Sequence, residues 1–277
     1  RRKGPEMVME SLRVSASSWV VSFFVLAAGI TVPAQAQDDS TWTVNGITVG
    51  QSVKNDVSPP LRELLEAPVM LQPLHLQREP LAEIGRVEMY DYDPVVQDYL
   101  APEAMPAPIL NFDGIPFPGV SCNCAPPDTN GEVGATQYVQ MVNEGLQVFN
   151  KATGASVLGP IAITTLWSGF GGVCELNGSG DPVVLYDQLA SRWVVTQFAG
   201  VSVPTDECVA VSTTSDASGT WFRYDFNLGT NFFDYPKLSV WPDAYYLSEN
   251  VFNTAGTAYL GPQPFALDRA AMLVGAP

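Results

Sequence analysis

The sequence predicts an all-β fold, a partial β-propeller of about three four-stranded blades, and two observations carry that expectation. Asp128, Asp181 and Asp234 stand 53 residues apart each time, and each opens a run of short strand-like segments. A period of about 40–50 residues holding several short strands is the pattern of propeller blades, each a small sheet stacked on its neighbours around a channel. The second observation is the texture of the middle repeat. Residues 183–186, 192–198, 207–212 and 221–226 are rich in β-branched and aromatic side chains, and turns of Gly, Ser, Asp and Pro separate them. The first repeat reads the same way over residues 137–143, 146–151 and 156–163, broken at Asn143-Glu144-Gly145 and Ala152-Thr153-Gly154. The third passes through residues 237–241 and 245–249 and runs out near Pro277. A closed ring takes at least about four blades, so the expectation is an incomplete stretch of a larger ring of about six to eight blades. The alternative is closure by strands from another copy or from residues 38–110.

Upstream of the repeats the chain divides in two. Residues 1–6 precede the first methionine; then Arg13, an apolar run over residues 19–30 and Ala34-Gln35-Ala36 have the order of an export signal, with cleavage expected between Ala36 and Gln37. The apolar run is shorter than the ~20 residues a membrane span requires, so the mature chain is expected to have no membrane span; an N-terminal anchor is the alternative. Residues 37–118 form a Pro- and Glu-rich leader or linker, with one hairpin expected over 42–53 around Asn45-Gly46 and a short helix over 61–66 after Pro59-Pro60. Residues 119–277 carry the blades. The formal charge is −16, and loss of residues 1–36, with their four basic and two acidic side chains, takes it to −18. A chain this acidic repels nucleic acid and anionic membrane surfaces. It suits an extracellular protein and can attract Ca²⁺.

The four cysteines of an exported chain should be oxidised. If the first strand of the middle blade runs down from Asp181, the second returns and the third starts down again near Cys208. Cys174 and Cys208 then share one face and are the expected disulfide. For Cys122 and Cys124 a strained mutual ring, a bond elsewhere and a free pair all stay open.

The aspartates at the start of each inner strand, Asp128, Asp181 and Asp234, should ring one channel mouth, either as a ligand or cation site or as caps for loop N–H groups. Asp128, Asn130 and Glu132 offer oxygens at alternate positions, the opening of a Ca²⁺ loop, though no bidentate glutamate follows at the twelfth position. Ca²⁺ is accordingly the one cofactor considered. Trp167 and Phe170, in a Gly-rich loop, are the aromatic ligand-binding candidates. No catalytic residue is assigned: the single histidine, His75, lies in the leader, so a Ser-His-Asp arrangement or a multi-histidine metal site would have to be built from there.

Residues 126–134, 166–172, 180–187 and 234–238 resemble the propeller region of large secreted bacterial proteins. The turn Ser215-Asp216-Ala217-Ser218-Gly219-Thr220-Trp221 is similar to the Asp-box of sialidase-like propellers, with the spacing altered by one residue. That resemblance implies a folding role for the turn, with Asp216 accepting backbone amides and Trp221 packing between sheets. It also implies three arginines for an acidic sugar, whereas residues 111–277 hold only Arg192, Arg223 and Arg269, with Arg192 at the opposite end of its blade. The functional expectation is a secreted binding or adhesion propeller for an extracellular carbohydrate or protein ligand. A glycoside hydrolase or lyase using channel carboxylates and a purely structural surface module are the alternatives.

Overall fold

The computed structural model describes residues 41–44, 47–64, 75–76, 106–117, 120, 122, 124–200 and 205–277. The expected export signal and its cleavage point lie outside the described residues. In the leader, β1 (Thr41–Val44) and β2 (Ile47–Gly50) form an antiparallel hairpin, followed by β3 (Lys54–Val57) and a single 3-10 turn at Leu61–Glu63. Further on, β4 (His75–Leu76) pairs in parallel with β5 (Cys124–Ala125).

Three antiparallel meanders follow. The first blade is β6 (Asn130–Val133), β7 (Gln137–Val142), β8 (Gly145–Asn150) and β9 (Ser156–Ala162), hydrogen-bonded in that order. A 3-10 stretch at Ile163–Trp167 and the short α1 (Val173–Leu176) lead to the second blade. That blade is β10 (Gly178–Asp187), β11 (Arg192–Ala199), β12 (Asp206–Ser212) and β13 (Trp221–Asn227), and β3 of the leader adds a fifth strand beside β13. The third is β14 (Phe232–Val240), β15 (Ala244–Phe252) and β16 (Tyr259–Asp268), ending in α2 (Arg269–Met272). Asp268 caps α2, its Oδ1 accepting from Ala271 N at 2.9 Å.

The inner strand β10 packs against β6 on one side and β14 on the other, the side-by-side stacking of propeller blades about an axis. Stacking explains why β11 and β12 read as near-continuous apolar runs: a middle strand of a sheet sandwiched between two others is buried on both faces, and nearly every residue of both strands is buried. The two faces belong to different cores. Trp193, Val195, Cys208 and Ala210 join Val139, Met141, Leu146 and Ile161 of the first blade. Val194, Val209 and Val211 point the other way, to Tyr245 of the third blade and Met272 of α2.

The expected disulfide is present: Cys174 and Cys208 are bonded, with Cα atoms 5.8 Å apart. Cys122 is likewise disulfide-bonded. The Asp216 turn holds together as a folding element. Asp216 Oδ1 accepts from Ser218 N at 3.0 Å and Ser218 Oγ at 2.7 Å, while Trp221 Nε1 donates to Ala217 O at 3.0 Å. Gln137 of β7 reaches across from the first blade, donating to Asp216 Oδ1 at 2.9 Å and accepting from Ala217 N at 2.8 Å. The turn is thus a clasp between blades as well as a hairpin end.

Candidate functional site

The inner strands meet at a cleft of about 220 Å³ lined by Asp128, Thr129, Asn130, Asp181, Pro182, Val183, Tyr235, Pro236 and Lys237. These are equivalent triplets, one from each blade. The backbone makes the equivalence explicit, because Asp128, Asp181 and Tyr235 all adopt left-handed conformations, with φ of 42°, 42° and 57°. Such angles are uncommon outside glycine. In the second and third blades the residue sits in a one-residue bulge, since the register with the neighbouring strand shifts between Gly180 and Val183 and again between Asp234 and Lys237. A bulge re-aims side chains that regular pairing would send to alternate faces.

Asn143, in the β7–β8 turn, organises the mouth. Its Oδ1 accepts from Asp181 N at 2.7 Å, and its Nδ2 donates to Pro126 O at 3.2 Å and to Asp128 Oδ2. Gly180 has φ +111°, and a Cβ there would lie 2.6 Å from Asn143 Oδ1, so only glycine admits this contact. Asn130 Oδ1 accepts from Val184 N at 2.8 Å, joining the first two inner strands. Glu132 Oε1 accepts from Val133 N at 2.9 Å. Each of the three residues expected to open a Ca²⁺ loop therefore has one oxygen engaged within the protein.

Of the three aspartates expected at the mouth, Asp128 and Asp181 line it together. Asp234 is buried one residue earlier and Tyr235 takes the third place, 47% exposed, with Lys237 Nζ 3.4 Å from its ring centroid. The sequence carried a signal for this shift: Pro182 follows Asp181 as Pro236 follows Tyr235, a spacing of 54 instead of 53. Trp167 and Phe170 depart from the expectation altogether. Each is only 1% exposed, and their rings meet edge to face at 5.3 Å within the core shared by the first two blades. Lys54 and the Arg223 guanidinium lie 4.9 and 5.1 Å from the Phe170 centroid, so that ring holds one exposed and one buried cation and offers no surface to a ligand.

The arginines are committed elsewhere. Arg223 donates to both oxygens of Asp56 at 2.8 and 2.7 Å and to the carbonyls of Leu166 and Ser168, tying the leader strand to the second blade. Arg269 donates to Asp187 Oδ2 at 2.6 Å and Oδ1 at 3.1 Å, and Tyr245 OH adds 2.9 Å to Oδ2. Burial would push the Asp187 carboxyl up, but these bonds and that from Ala190 N more than offset it and hold the group below the ordinary range.

Two acids missed by sequence reasoning lie deeper. Glu207 of β12 and Glu249 of β15 are 1% and 2% exposed, and none of their four carboxylate oxygens has a hydrogen-bond partner among the described residues. Burial, then Glu249 and Asp181, drive Glu207 far above the usual range; burial and Asp234 push Glu249 up to about 8. Asp225 is raised to about 7 by burial and by Asp206, with Lys54 opposing. Asp225 also lies close to the sulfurs of Cys174 and Cys208, but these are joined to each other and so are not thiolate ligands.

The chain is thus a β-propeller-type array whose inner strands converge on one polar mouth. No family profile and no curated protein matches the sequence. Two solved structures are similar in part: an exo-β-1,3-galactanase from Phanerochaete chrysosporium, solved with galactose, and an arabinanase from Bacillus subtilis. The first has 12% identity and a TM-score of 0.30 over 50% of this chain and 38% of the galactanase. The second has 13% identity and a TM-score of 0.29 over 50% of this chain and 55% of the arabinanase. The match spans less than two thirds of either enzyme, and the fold assignment stands on the sheets themselves. Among the described residues no helix is long and apolar enough to cross a membrane.

Proposed function

We propose that this chain is an extracellular propeller-type binding module that takes a hydroxylated ligand, a carbohydrate, at the mouth formed by Asp128, Asp181 and Tyr235. The observation that carries the reading is the convergence of three equivalent left-handed positions, one per blade, on a single cleft. Carboxylates accept hydrogen bonds from sugar hydroxyls, and an exposed tyrosine ring stacks on the apolar face of a pyranose. The cleft is smaller than the about 300–1,000 Å³ of drug-sized sites, which suits one sugar ring or a chain end. The Cys174–Cys208 bond and the export signal read from residues 7–36 support an oxidising, extracellular setting.

The hydrolase alternative needs a raised carboxylic acid and an ionised partner, both touching substrate. The carboxyls with the strongly raised values, Glu207, Glu249 and Asp225, are buried beyond the reach of a sugar, which favours binding over catalysis. Isothermal titration against a panel of neutral mono- and oligosaccharides tests the reading. Saturable binding that weakens at least tenfold in Tyr235→Ala and Asp181→Asn is expected; no binding by any sugar in the panel rejects it. Release of reducing sugar from a polysaccharide, abolished in Asp128→Asn, would replace binding with hydrolysis.

A further inference from the structure

Strand alternation places Glu207 and Glu249 against each other. On β12, Val209 and Val211 face the third blade, so Glu207, two residues before Val209, faces it too. On β15, Tyr245 faces the second blade, and Glu249, four residues on in a regularly paired stretch, shares that face with the buried Leu247 between them. Thr196 of β11 lies two residues from Val194 and points the same way. Glu207 sits opposite Phe198, itself paired with Gly180 beside the second-blade bulge, and Glu249 lies between the partners of Asp234 and Lys237 that flank the third-blade bulge. Both acids therefore lie one layer beneath the mouth, in the seam between the second and third blades.

Apart from the Asp187–Arg269–Tyr245 cluster at another level the seam packs apolar side chains, and no cation among the described residues acts on these acids. The Thr196 hydroxyl is beside Glu207, yet neither it nor the four carboxylate oxygens completes a hydrogen bond among the described residues. The charged groups acting on the pair are Asp181 and Asp234, both acidic. Burial of an ionised carboxylate without a partner costs several kcal/mol or more, and two such groups facing each other add repulsion. One shared proton relieves the repulsion but leaves a buried negative charge on the pair. A cation removes both problems.

We propose that Glu207 and Glu249 hold a divalent cation, Ca²⁺, in the seam between the second and third blades. Two carboxylates match its charge, and the donor set of carboxylate and hydroxyl oxygens, without nitrogen or sulfur, is that of a hard cation. The site is separate from the Asp128–Glu132 loop and stands whether or not the mouth binds sugar. The ion would fasten neighbouring blades directly below the mouth and fix the relative positions of Asp181 and Tyr235.

The test is calcium content and thermal unfolding of the purified chain, stripped with EGTA and measured at pH 8 with and without Ca²⁺. Expected are about one Ca²⁺ per chain and, at about 100-fold excess over Kd, a rise in Tm of roughly 5–10 °C by mass action. Both should vanish in the near-isosteric double variant Glu207→Gln/Glu249→Gln. Wild-type protein supplies a second measurement that needs no variant: equilibrium dialysis at pH 8 should show one saturable Ca²⁺ per chain. A Tm indifferent to Ca²⁺ at pH 8, or no saturable Ca²⁺ in dialysis, overturns the proposal. A shift kept in Glu207→Gln/Glu249→Gln and lost in Asp128→Ala puts the ion at the mouth and overturns it equally.

Discussion

Between the first and second blades Trp167, Trp193 and Trp221 fill the space, Gln137, Asn130 and Asn143 bond across to the Asp216 turn, Val184 and Asp181, and the buried Arg223 is paired with Asp56. Between the second and third the apolar cluster is smaller, and buried carboxylates lie at two levels. Asp187 is locked to Arg269 and Tyr245 at one level, while Glu207 and Glu249 lie without partners at another. One repeat has therefore been joined in two chemically different ways. Paired charges and aromatic burial change little with pH, whereas unpartnered buried carboxylates respond to both pH and ions, so Glu207 and Glu249, with Asp225 beside the disulfide, are where conditions should act on this protein.

Breaking the charged seam should give the largest effect. Asp187 is fully buried, and Asp187→Ala leaves the Arg269 guanidinium and the Tyr245 hydroxyl without their acceptor. A loss of about 3–5 kcal/mol is expected, the scale for removing one member of a buried pair. Urea denaturation reads it, and a loss below about 1 kcal/mol would show that the pair does not hold the blades together.

A smaller effect, still of a few kcal/mol, should follow from pH alone. The folded pKa of Glu249 is raised to about 8 from an ordinary value of 4.5, so the folded state holds more protons than the unfolded one across that interval. Stability of the metal-stripped protein should fall as pH rises from about 4.5 to about 8. In Glu249→Gln the slope should flatten, leaving the contributions of Glu207 and of Asp225 near pH 7. An unchanged slope would place the pH sensitivity elsewhere.

The seam between the first and second blades provides the smallest expected change. Gln137→Ala removes the clasp on the Asp216 turn and leaves Ala217 N buried without its acceptor, at a cost of about 1–3 kcal/mol. Because no ionisable group is deleted, the loss should be the same at pH 5 and pH 8. A pH-dependent loss would mean that the two seams are coupled.

Much of the fold was legible because its determinants are local. Turn residues and β-branched runs located the four strands of the second blade, and the 53-residue period located the blades. The down-up-down order was enough to pair Cys174 with Cys208. The mouth was legible in part: Asp128 and Asp181 follow the period, but the third blade is displaced by one residue, and in a strand a one-residue slip changes which face a side chain serves. Asp234 was accordingly expected where Tyr235 stands. Trp167 and Phe170 sit among four glycines and serines, a composition that reads as exposed loop, yet α1 and the Cys174–Cys208 bond fold that loop over the core.

Sequence by itself determined the class of fold, the repeat, the disulfide and two of the three positions at the mouth, because each depends on short-range propensity or fixed spacing. Only the tertiary structure decided that Glu207 and Glu249 face one another. Each lies in an ordinary strand of its own blade, 42 residues from the other, with nothing nearby in the chain to set it apart from a solvent-exposed glutamate. Their burial comes from stacking one sheet on the next, and stacking brings together residues that no local pattern relates.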